Sequence, residues 1–581
     1  MSCSVLFLSM ETECTITNEQ INDLPFLVGI LQQMGIQQKI DNTIKTHGNW
    51  SGISLGTLVM IWLCYLLSER NHQLLPVQNW VRERKHTFEY LLNQPLSDND
   101  CNDDRLSAAL DYLGQHPAQE QMDRECASHW MQVYPLPKQV IRLDTTSITV
   151  HHQGRDKDSL LQLGYSKDHR PDLPQFKMML ATLDPLGLPL SMEVMAGNTA
   201  DDGAYLPTYE KTCQVLNTTD LLVVGDSKMS ALATRAQIAR NQSAYLCPAS
   251  FPGKTKQKAL WIEEALAHPE EWQFFEEQDD PQTGEKTYQA LLLERTRTQE
   301  EVDPLTQEVF TWTERLIITR STAYQRAQEG RLHQRLAGLE AALALLRQPP
   351  KQGRKRFCTA EALQEELDKR IAAAGLAGLV GIPVLPQDGS CGKPGFVPGV
   401  LWVESVAWQA HVGRLGWQIY LSNTTAQQYS ALAIVSTYRQ QITQERGFSR
   451  LKNRTLHIRP IYLREEGRIA GLLYLLMLAL RFLTLTEYRI RYALAQHQEA
   501  IQGLNAASPK SATSRPTTEA LLKAFANITL TLIRTPWGER QRHVTPLTPT
   551  QLHILRMLEL PPEIYQGLGR RNNSPPKISE S

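Results

Sequence analysis

The spacing of hydrophobic residues is helical in the N-terminal part of the chain and becomes strand-like after about residue 139. Residues 18 to about 135 carry apolar positions at helical intervals, in stretches such as 24–36 and 53–69, which predicts a helical N-terminal region. From Gln139 the period changes, because QVIRLDTTSITVHH is rich in β-branched residues over the length of one strand, with Asp144 in its middle. The stretches FKMMLATLD and LPLSMEVMAGN predict two further strands, TYEKTCQVL predicts a helix, and DLLVVGD predicts a buried strand ending at Asp226.

The order of these elements favours an α/β fold. After Asp226, ALATRAQIAR predicts a helix and SAYLCP predicts one more strand. Three strands, a helix, a strand that ends in Asp, a helix and another strand are the order of a ribonuclease H-like mixed sheet. In such a sheet, an Asp on the central strand and an Asp at the end of the neighbouring strand come close together. An acid on a later helix can complete the cluster.

A long insertion, roughly 251–411, separates this region from the next predicted strand, GWQIYLSNTT. It begins with the strand-like runs YQALLLERT and VFTWTERLIITR and continues as a helical hairpin with the partner LQEELDKRIAAAG. One helix of the hairpin carries an a/d stripe formed by Leu332, Leu336, Leu339, Leu343 and Leu346. The linker of the hairpin carries Lys351, Arg354, Lys355 and Arg356. The hairpin is therefore either a structural arm or an arm whose basic tip contacts DNA or a second subunit.

The chain ends in a long apolar stretch, a linker and a small C-terminal region. HIRPIYLREEGRIAGLLYLLMLALRFL predicts a helix that closes the sheet. AASPKSATSRPTT has the composition of a linker, and EALLKAFANITLTLIR and QLHILRMLEL predict helices beyond it.

Composition and charge limit the partners. The 581 residues allow several domains, and the hydrophobic share of 42% and charged share of 21% are those of a soluble globular protein. The net charge is −1, so a nucleic-acid ligand requires the basic residues to be clustered. Between Ala431 and Ala470 the chain has eight Arg or Lys against three Glu, which is a local positive patch.

The cysteines and the apolar stretches indicate an intracellular, cytoplasmic protein. The nine cysteines are scattered without a CxxC pair, which disfavours a structural zinc site or a disulfide framework. The N-terminus has no basic segment and too short an apolar run for a signal peptide. The longest apolar stretches, 53–67 and 469–480, fall short of a membrane span and predict buried helices.

The stretch YRQQITQERGFSRLK predicts a helix with one narrow polar stripe. At about 100° per residue, four side chains fall within about 60° of one another: Tyr438, Gln441, Glu445 and Lys452. Phe448 and Leu451 lie on the opposite side and can dock the helix on a core. The stripe is flanked by Arg439, Arg446 and Arg450. A lone acid among cations is typical of a metal ligand next to phosphate, and a charged face is equally typical of a helix exposed to solvent.

Several segments together resemble a known family. They are LDTTS around Asp144, GYSKDHRPD, MAGNTAD, GDSKMS around Asp226, and the spacing Tyr438-x2-Gln441-x3-Glu445-x6-Lys452. Their combination resembles the DDE transposases of bacterial insertion sequences, in the insertion-sequence-four group with its Tyr-Arg-Glu-Lys signature. The resemblance spans roughly residues 20–490.

The resemblance implies roles for individual residues. Asp144, Asp226 and Glu445 become the catalytic and metal-binding triad, and Tyr438 and Lys452 become contacts to the phosphates of the transposon end. Gln441 stands where the family usually has Arg, and a neutral amide lacks the charge-assisted strength of Arg toward phosphate. The further DNA-binding candidates are Arg439, Arg446, Arg450 and Arg454.

The triad suits the chemistry that the resemblance implies. Cleaving a phosphodiester and joining a 3′-hydroxyl to a new phosphate are in-line displacements, which two metal ions about 3.5–4 Å apart can promote. Carboxylate oxygens suit Mg²⁺, and Mn²⁺ is expected to substitute for it. Three acids that meet without a metal repel one another, so we expect a loosely arranged site in its absence.

The resemblance also gives the predicted regions their functions. The boundaries are 1–135 for a helical DNA-binding domain, 136–250 for the first part of the ribonuclease H-like core, 251–415 for the insertion domain, 416–500 for the second part of the core with the Glu445 helix, and 501–581 for a linker and a region for dimerisation or DNA-end contacts. The expected partners are double-stranded DNA, as terminal inverted repeats and target, and a second copy of the chain in a paired-end complex.

The leading hypothesis is a transposase that performs cut-and-paste transposition. Two alternatives remain open at this point. One is a ribonuclease H-like DNA nuclease that cuts without strand transfer. The other is a domesticated DNA-binding protein that no longer cuts, although the intact acids argue against it.

Overall fold

The computed structural model describes residues 14–137, 139–152, 159–166, 170–250, 257–277, 288–302, 306–348, 357–387, 395–453, 455–504, 510–535 and 540–570. The chain forms two compact units, one made of residues 1–245 with 437–581 and the other of residues 246–436. The predicted basic tip at 351–356 and the DNA-binding candidate Arg454 lie outside the described residues.

The N-terminal part of the first unit is mainly helical, as predicted. Its elements are β1 (Thr15–Gln20), α1 (Leu24–Gln33), α2 (Ile36–Thr43), α3 (Leu55–Glu69), α4 (Leu75–Arg82), α5 (Lys85–Leu92), α6 (Asp103–Leu113) and α7 (His116–Val133). Helix α3 is apolar on every side and buried from Leu55 to Leu67, so it is the central helix of this part. Helix α6 begins with a side-chain cap, because Asn102 accepts a hydrogen bond from the backbone N of Arg105.

A mixed sheet follows, with the strands and helices that the sequence predicts between 139 and 250. The elements are β2 (Val140–Thr149), β3 (Gln175–Leu183), β4 (Leu188–Ala196), α8 (Tyr205–Leu216), β5 (Leu222–Gly225), α9 (Leu232–Arg240) and β6 (Ala244–Pro248). In the first unit the strand order is β4-β3-β2-β5. β3 is antiparallel to both β2 and β4, whereas β5 is parallel to β2, with Leu143 opposite Gly225. The α/β class is therefore confirmed.

The second unit is a ladder of antiparallel strands with helices. Its elements are α10 (Gln257–Ala267), β7 (Gln273–Glu277), β8 (Tyr288–Val302), β9 (Val309–Ser321), α11 (Thr322–Arg347), α12 (Ala360–Ala373), β10 (Val380–Gly381), β11 (Val384–Gln387), β12 (Gly395–Pro398), β13 (Trp402–Val403), α13 (Ser405–Gly413) and β14 (Trp417–Ser422). The long strands follow the order β14-β9-β8-β7, and Leu246–Pro248 pair with Tyr420–Ser422. Leucines of α11 and α12 share one hydrophobic core.

The rest of the chain returns to the first unit. Its elements are α14 (Ala431–Arg439), within which the boundary between the units falls, α15 (Ile442–Lys452), α16 (Glu466–His497), β15 (Ile501–Gln502), β16 (Ala512–Thr513), α17 (Thr518–Ala524), β17 (Thr529–Arg534), β18 (Arg540–Val544), α18 (Pro549–Met557) and α19 (Glu563–Gln566). Helix α16 packs against α6 and β4.

Helix α16 is longer than its sequence pattern indicates. By length and composition it could span a membrane, but 94% of its most apolar 18-residue window is buried inside the protein. Such burial is the environment of a core helix.

Two predictions about secondary structure were wrong. The stretch from Tyr438 to Lys452 is not one helix, because α14 ends at Arg439 and α15 begins at Ile442. The C-terminal region is not wholly helical either, since β17 forms an antiparallel sheet with β18 and with the N-terminal β1. Strands from the N-terminal and C-terminal parts of the first unit therefore form one sheet.

Candidate active site

Two aspartates stand side by side at adjacent parallel strands. Leu143 of β2 is opposite Gly225 of β5, and Asp144 and Asp226 are the next residues along each strand. Neighbouring strands lie about 4.8 Å apart, so the two side chains emerge close together. Both are partly exposed. The predicted proximity of Asp144 and Asp226 thus follows from the register of the sheet.

Hydrogen bonds orient the carboxylate of Asp226. Its Oδ1 accepts from the hydroxyl of Tyr205 at 2.6 Å and from the backbone N of Lys228 at 2.8 Å. Tyr205 is fully buried. Burial and the negative charges of Asp226 and Asp144 raise the pKa of Tyr205 far above that of an ordinary phenol, which keeps the hydroxyl a proton donor.

An ion cluster around the buried Asp201 lies beside the aspartates. Asp201 accepts from the ammonium of Lys177 at 2.8 Å, from the hydroxyl of Thr145 at 3.0 Å and from the ammonium of Lys228. Burial by itself raises the pKa of Asp201, but the two lysines reverse that effect and lower the pKa to about 2. Asp201 therefore remains ionised. Its carboxylate connects Thr145, next to Asp144, with Lys228, two residues after Asp226.

The third acid lies on a helix that begins after a break. The side chain of Arg142 donates to the backbone oxygens of Thr437 and Tyr438, the latter at 3.2 Å. These oxygens would otherwise accept only from backbone N–H groups of a continuing helix. The break places Tyr438 on α14, whereas Glu445 lies in the first turn of α15.

A buried amide connects α15 to the sheet. Nε2 of Gln444 donates to the backbone oxygen of Arg142 at 3.4 Å and to that of Leu180 at 3.1 Å. Phe448 and Leu451 are buried, as predicted for the docking side of the helix. Because Gln444 binds β2 two residues before Asp144, the adjacent Glu445 is brought to the strand that carries Asp144.

Glu445 itself is loosely held. It is exposed, and its Oε1 accepts a hydrogen bond from Nε2 of Gln441 at 3.1 Å. In the described part of the chain, the only three potential metal ligands whose ligand atoms all lie within 4.8 Å of one another are His268, Glu270 and Glu271, which are exposed or half-buried. The predicted triad is therefore more widely spaced than this, in the direction expected for acids that repel one another.

Two of the predicted DNA-binding arginines have carboxylate partners. Arg446 forms two hydrogen bonds with Glu487, at 2.6 and 2.8 Å. Arg450 is buried and binds Glu519, at 2.8 and 2.9 Å, and Glu487 at 2.5 Å. These pairs fix α15 to α16 and α17. A DNA contact of Arg446 or Arg450 stays a prediction, and the charges of both residues already serve internal contacts.

The other DNA-contact candidates within the described residues are partly exposed. They are Tyr438, Arg439, Gln441 and Lys452. Burial lowers the pKa of Arg439. Lys452 is the last residue of α15, so it lies at the opposite end of the helix from Glu445.

The residues present fit a divalent metal ion. The three side chains offer carboxylate oxygens, which are the ligands that Mg²⁺ and Mn²⁺ prefer. Oδ1 of Asp226 already has two donors, and among the described residues no hydrogen bond is made to Oδ2. One oxygen of that carboxylate is thus directed by the protein and the other can take a cation.

Sequence reasoning missed the residues that support the acids. These are Arg142, Lys177, Asp201, Tyr205 and Gln444. Asp201 and Tyr205 lie in or just after MAGNTAD, which contributed to the family resemblance but gave no role for either side chain. For Arg142 and Lys177, the available signal was a charged side chain at a position within a predicted strand.

Two family models match the chain. One is described as a transposase DDE domain and matches residues 135–482, which is more than half of the chain. The other is described as a domain of unknown function (DUF4277) and matches residues 16–123, within the N-terminal helical part. No curated protein matches the chain.

Proposed function

The chain belongs to the transposase DDE domain family, and from that premise we propose that it cuts DNA at the ends of a mobile element and joins those ends to target DNA. The observation that carries the proposal is the pair Asp144 and Asp226 on adjacent parallel strands, with the Glu445 helix bound to the same sheet. In this proposal the three acids are the catalytic residues and hold Mg²⁺ or Mn²⁺, two ions per site.

The chemistry assigns separate tasks to the metal and to the protein. When bound, divalent ions supply charge stabilisation at the attacking and leaving oxygens of the phosphodiester. The sheet fixes Asp144 and Asp226. Glu445 is presented by α15, the helix that follows the break at residues 440–441. Orientation of the DNA strand relative to these acids is the protein's main contribution to the rate.

Phosphate contacts are proposed for the accessible residues around Glu445. Tyr438, Arg439, Gln441 and Lys452 can donate hydrogen bonds to DNA phosphates, and the sequence adds Arg454. We leave out Arg446 and Arg450 because of their carboxylate partners. Binding through phosphates is expected to weaken steeply as salt concentration rises.

The assembly and setting follow from the same proposal. The DNA partners are terminal inverted repeats and a target duplex, and paired ends are held by a homodimer in the bacterial cytoplasm. The insertion-sequence-four group remains the proposed subgroup, with Gln441 as its departure from the Tyr-Arg-Glu-Lys signature.

Substitution of the acids tests the proposal. Asp144→Asn, Asp226→Asn and Glu445→Gln should each lower cleavage of end-containing DNA by about 10³-fold or more, because loss of a metal ligand removes several kcal/mol of transition-state stabilisation. DNA binding, measured by mobility shift, should remain. Asp368→Asn is the matched control, since Asp368 is an exposed acid on α12, in the unit that does not carry the three acids, and its described partner is Gln364. Full cleavage by any of the three variants would refute the assignment.

A strand-transfer assay separates transposition from simple hydrolysis. Pre-cut ends and a target duplex are incubated with the protein and Mg²⁺ or Mn²⁺, and joined products are expected. A nuclease without strand transfer would cut intact ends but give no joined product. A domesticated DNA-binding protein would bind the ends and give neither product with any divalent ion.

A further inference from the structure

Tyr205 makes a contact that its packing does not require. Its ring is fully buried at the start of α8, where a phenylalanine could fill the same space. Burying a hydroxyl is unfavourable unless it is hydrogen-bonded. The hydroxyl of Tyr205 meets that requirement by donating to Oδ1 of Asp226 at 2.6 Å.

A second donor reaches the same oxygen from the turn after β5. The backbone N of Lys228 donates to Oδ1 of Asp226 at 2.8 Å. Asp201 fixes the position of this turn, because its buried carboxylate binds the ammonium of Lys228 and the hydroxyl of Thr145. Two donors on one oxygen leave little freedom for rotation of the carboxylate about its last bond.

The two donors make the carboxylate oxygens of Asp226 unequal. Oδ1 is occupied from inside the protein, whereas Oδ2 accepts no hydrogen bond from the described residues. Asp226 as a whole is partly exposed. Groups that orient a metal ligand in this way typically raise metal affinity by about 10- to 100-fold.

We infer that Tyr205 is a positioning residue of the metal site: its hydroxyl holds Oδ1 of Asp226 and thereby turns Oδ2 toward the divalent ion. The inference rests on the proposed function, because it requires Asp226 to be a metal ligand. In this inference, residues 201–205 fix the end of β5 in two ways. Tyr205 binds Asp226 directly, and Asp201 holds the turn whose Lys228 backbone N binds the same carboxylate.

Direct metal titration tests the inference without relying on activity. The full chain is titrated with Mn²⁺ alone, and free Mn²⁺ is followed by electron paramagnetic resonance. Tyr205→Phe should bind Mn²⁺ about 10- to 100-fold more weakly than the wild type. The variant keeps the aromatic ring, so thermal unfolding without metal should stay close to that of the wild type.

Tyr209→Phe is the matched control. Tyr209 lies one turn further along α8, is equally buried, and donates to Oγ of Ser243 at 2.7 Å. Its substitution also removes one buried phenol hydroxyl, but not one that binds a carboxylate of the site, so its Mn²⁺ affinity should equal that of the wild type. An equal loss of affinity in both variants would indicate a structural role and overturn the inference.

The remaining outcomes separate the inference from the proposed function. If the wild type and Tyr205→Phe bind Mn²⁺ equally well and Asp226→Asn binds it poorly, Tyr205 does not position the ligand and only the inference fails. If the folded wild type binds no Mn²⁺ at the three acids, the proposed function fails and the inference fails with it.

Discussion

The two aspartates and the glutamate of the proposed site are held in different ways. Asp226 receives two hydrogen bonds at the end of a strand, and Asp144 is fixed beside it by the register of β2 and β5. Glu445 is exposed on a helix and has one described hydrogen bond, from Gln441 at the break before that helix. One half of the site is therefore built into the sheet, whereas the other depends on how α15 is positioned.

This difference has a consequence for metal binding. Residues fixed by packing and hydrogen bonds give a precise site, and precision to about 0.5 Å is what metal and catalytic centres need. A side chain without such support adjusts its position when a cation relieves the repulsion among the acids. We expect the aspartates to move little and Glu445 to move most when divalent ions and DNA bind.

Arg142 connects the two halves, so its loss should have the largest effect. Its guanidinium binds Asp184 at 2.6 Å and the backbone before α15. Arg142→Met leaves Asp184 buried without its charged partner, which typically costs about 3–5 kcal/mol. Urea unfolding should report this loss in the free energy of unfolding.

The exposed pair of Arg170 and Asp172 provides the control for Arg142. Arg170→Met should leave the free energy of unfolding nearly unchanged, because exposed ion pairs contribute little. Equal effects of the two substitutions would contradict the view that the buried pair of Arg142 and Asp184 stabilises the fold.

Gln444 should affect catalysis more than stability. Gln444→Leu removes both hydrogen bonds to β2 and β3, so α15 can shift relative to Asp144. Small misplacements of a reacting group can lower rates by about 10²-fold, and we expect a loss of that size in DNA cleavage. Ser449→Ala, on the exposed side of the same helix, should cleave like the wild type. Wild-type cleavage by Gln444→Leu would mean that the contact does not position Glu445.

The contribution of Asp201, beside the two aspartates, to the free energy of unfolding should depend on pH. The pKa of Asp201 is lowered from 3.8 to about 2, so its ion pairs stabilise the folded state above about pH 4. That contribution, about 2 kcal/mol, is lost as the pH falls from about 4 toward 2. The difference in free energy of unfolding between wild type and Asp201→Asn should therefore shrink over this range. A difference that grows as the pH falls would contradict the assigned direction.

Gln441 should have the smallest effect. Gln441→Ala removes one exposed hydrogen bond from a neutral amide to the carboxylate of Glu445, which contributes about 1 kcal/mol. Cleavage should change by less than about fivefold. A loss as large as that of Gln444→Leu would show that Glu445 is fixed by Gln441, at the break before α15, rather than by the docking of the helix.

The sequence was sufficient for the aspartate half because its signals are local. β2 has a β-branched pattern around Asp144, and β5 is a short apolar run that ends at Asp226. Their parallel register then brings the two acids together. No distant residue is needed to predict either strand.

The break before Glu445 could not be predicted from its own sequence. Residues 440–443, QQIT, include no Gly or Pro, and glutamine is a good helix former. The break coincides with hydrogen bonds from Arg142, which is 295 positions from Thr437 and 296 from Tyr438 in the chain. Tertiary contacts of this kind override local helix propensity.

The same limit explains the arginines of α15. In the sequence, Arg446 and Arg450 lie in a positive patch. In the folded protein, Glu487 of α16 and Glu519 of α17 reach them and form buried or half-buried pairs. Charge counted along the chain therefore includes charge that internal ion pairs already use.

Diffraction from crystals of the protein with Mn²⁺ and end-containing DNA tests the central claim most directly. Anomalous scattering should place Mn²⁺ about 2.0–2.2 Å from Oδ2 of Asp226, with Asp144 and Glu445 as further ligands. Oδ1 of Asp226 should keep its hydrogen bond from Tyr205. Mn²⁺ absent from these acids, or Glu445 remaining beyond coordination distance with DNA bound, would contradict the account.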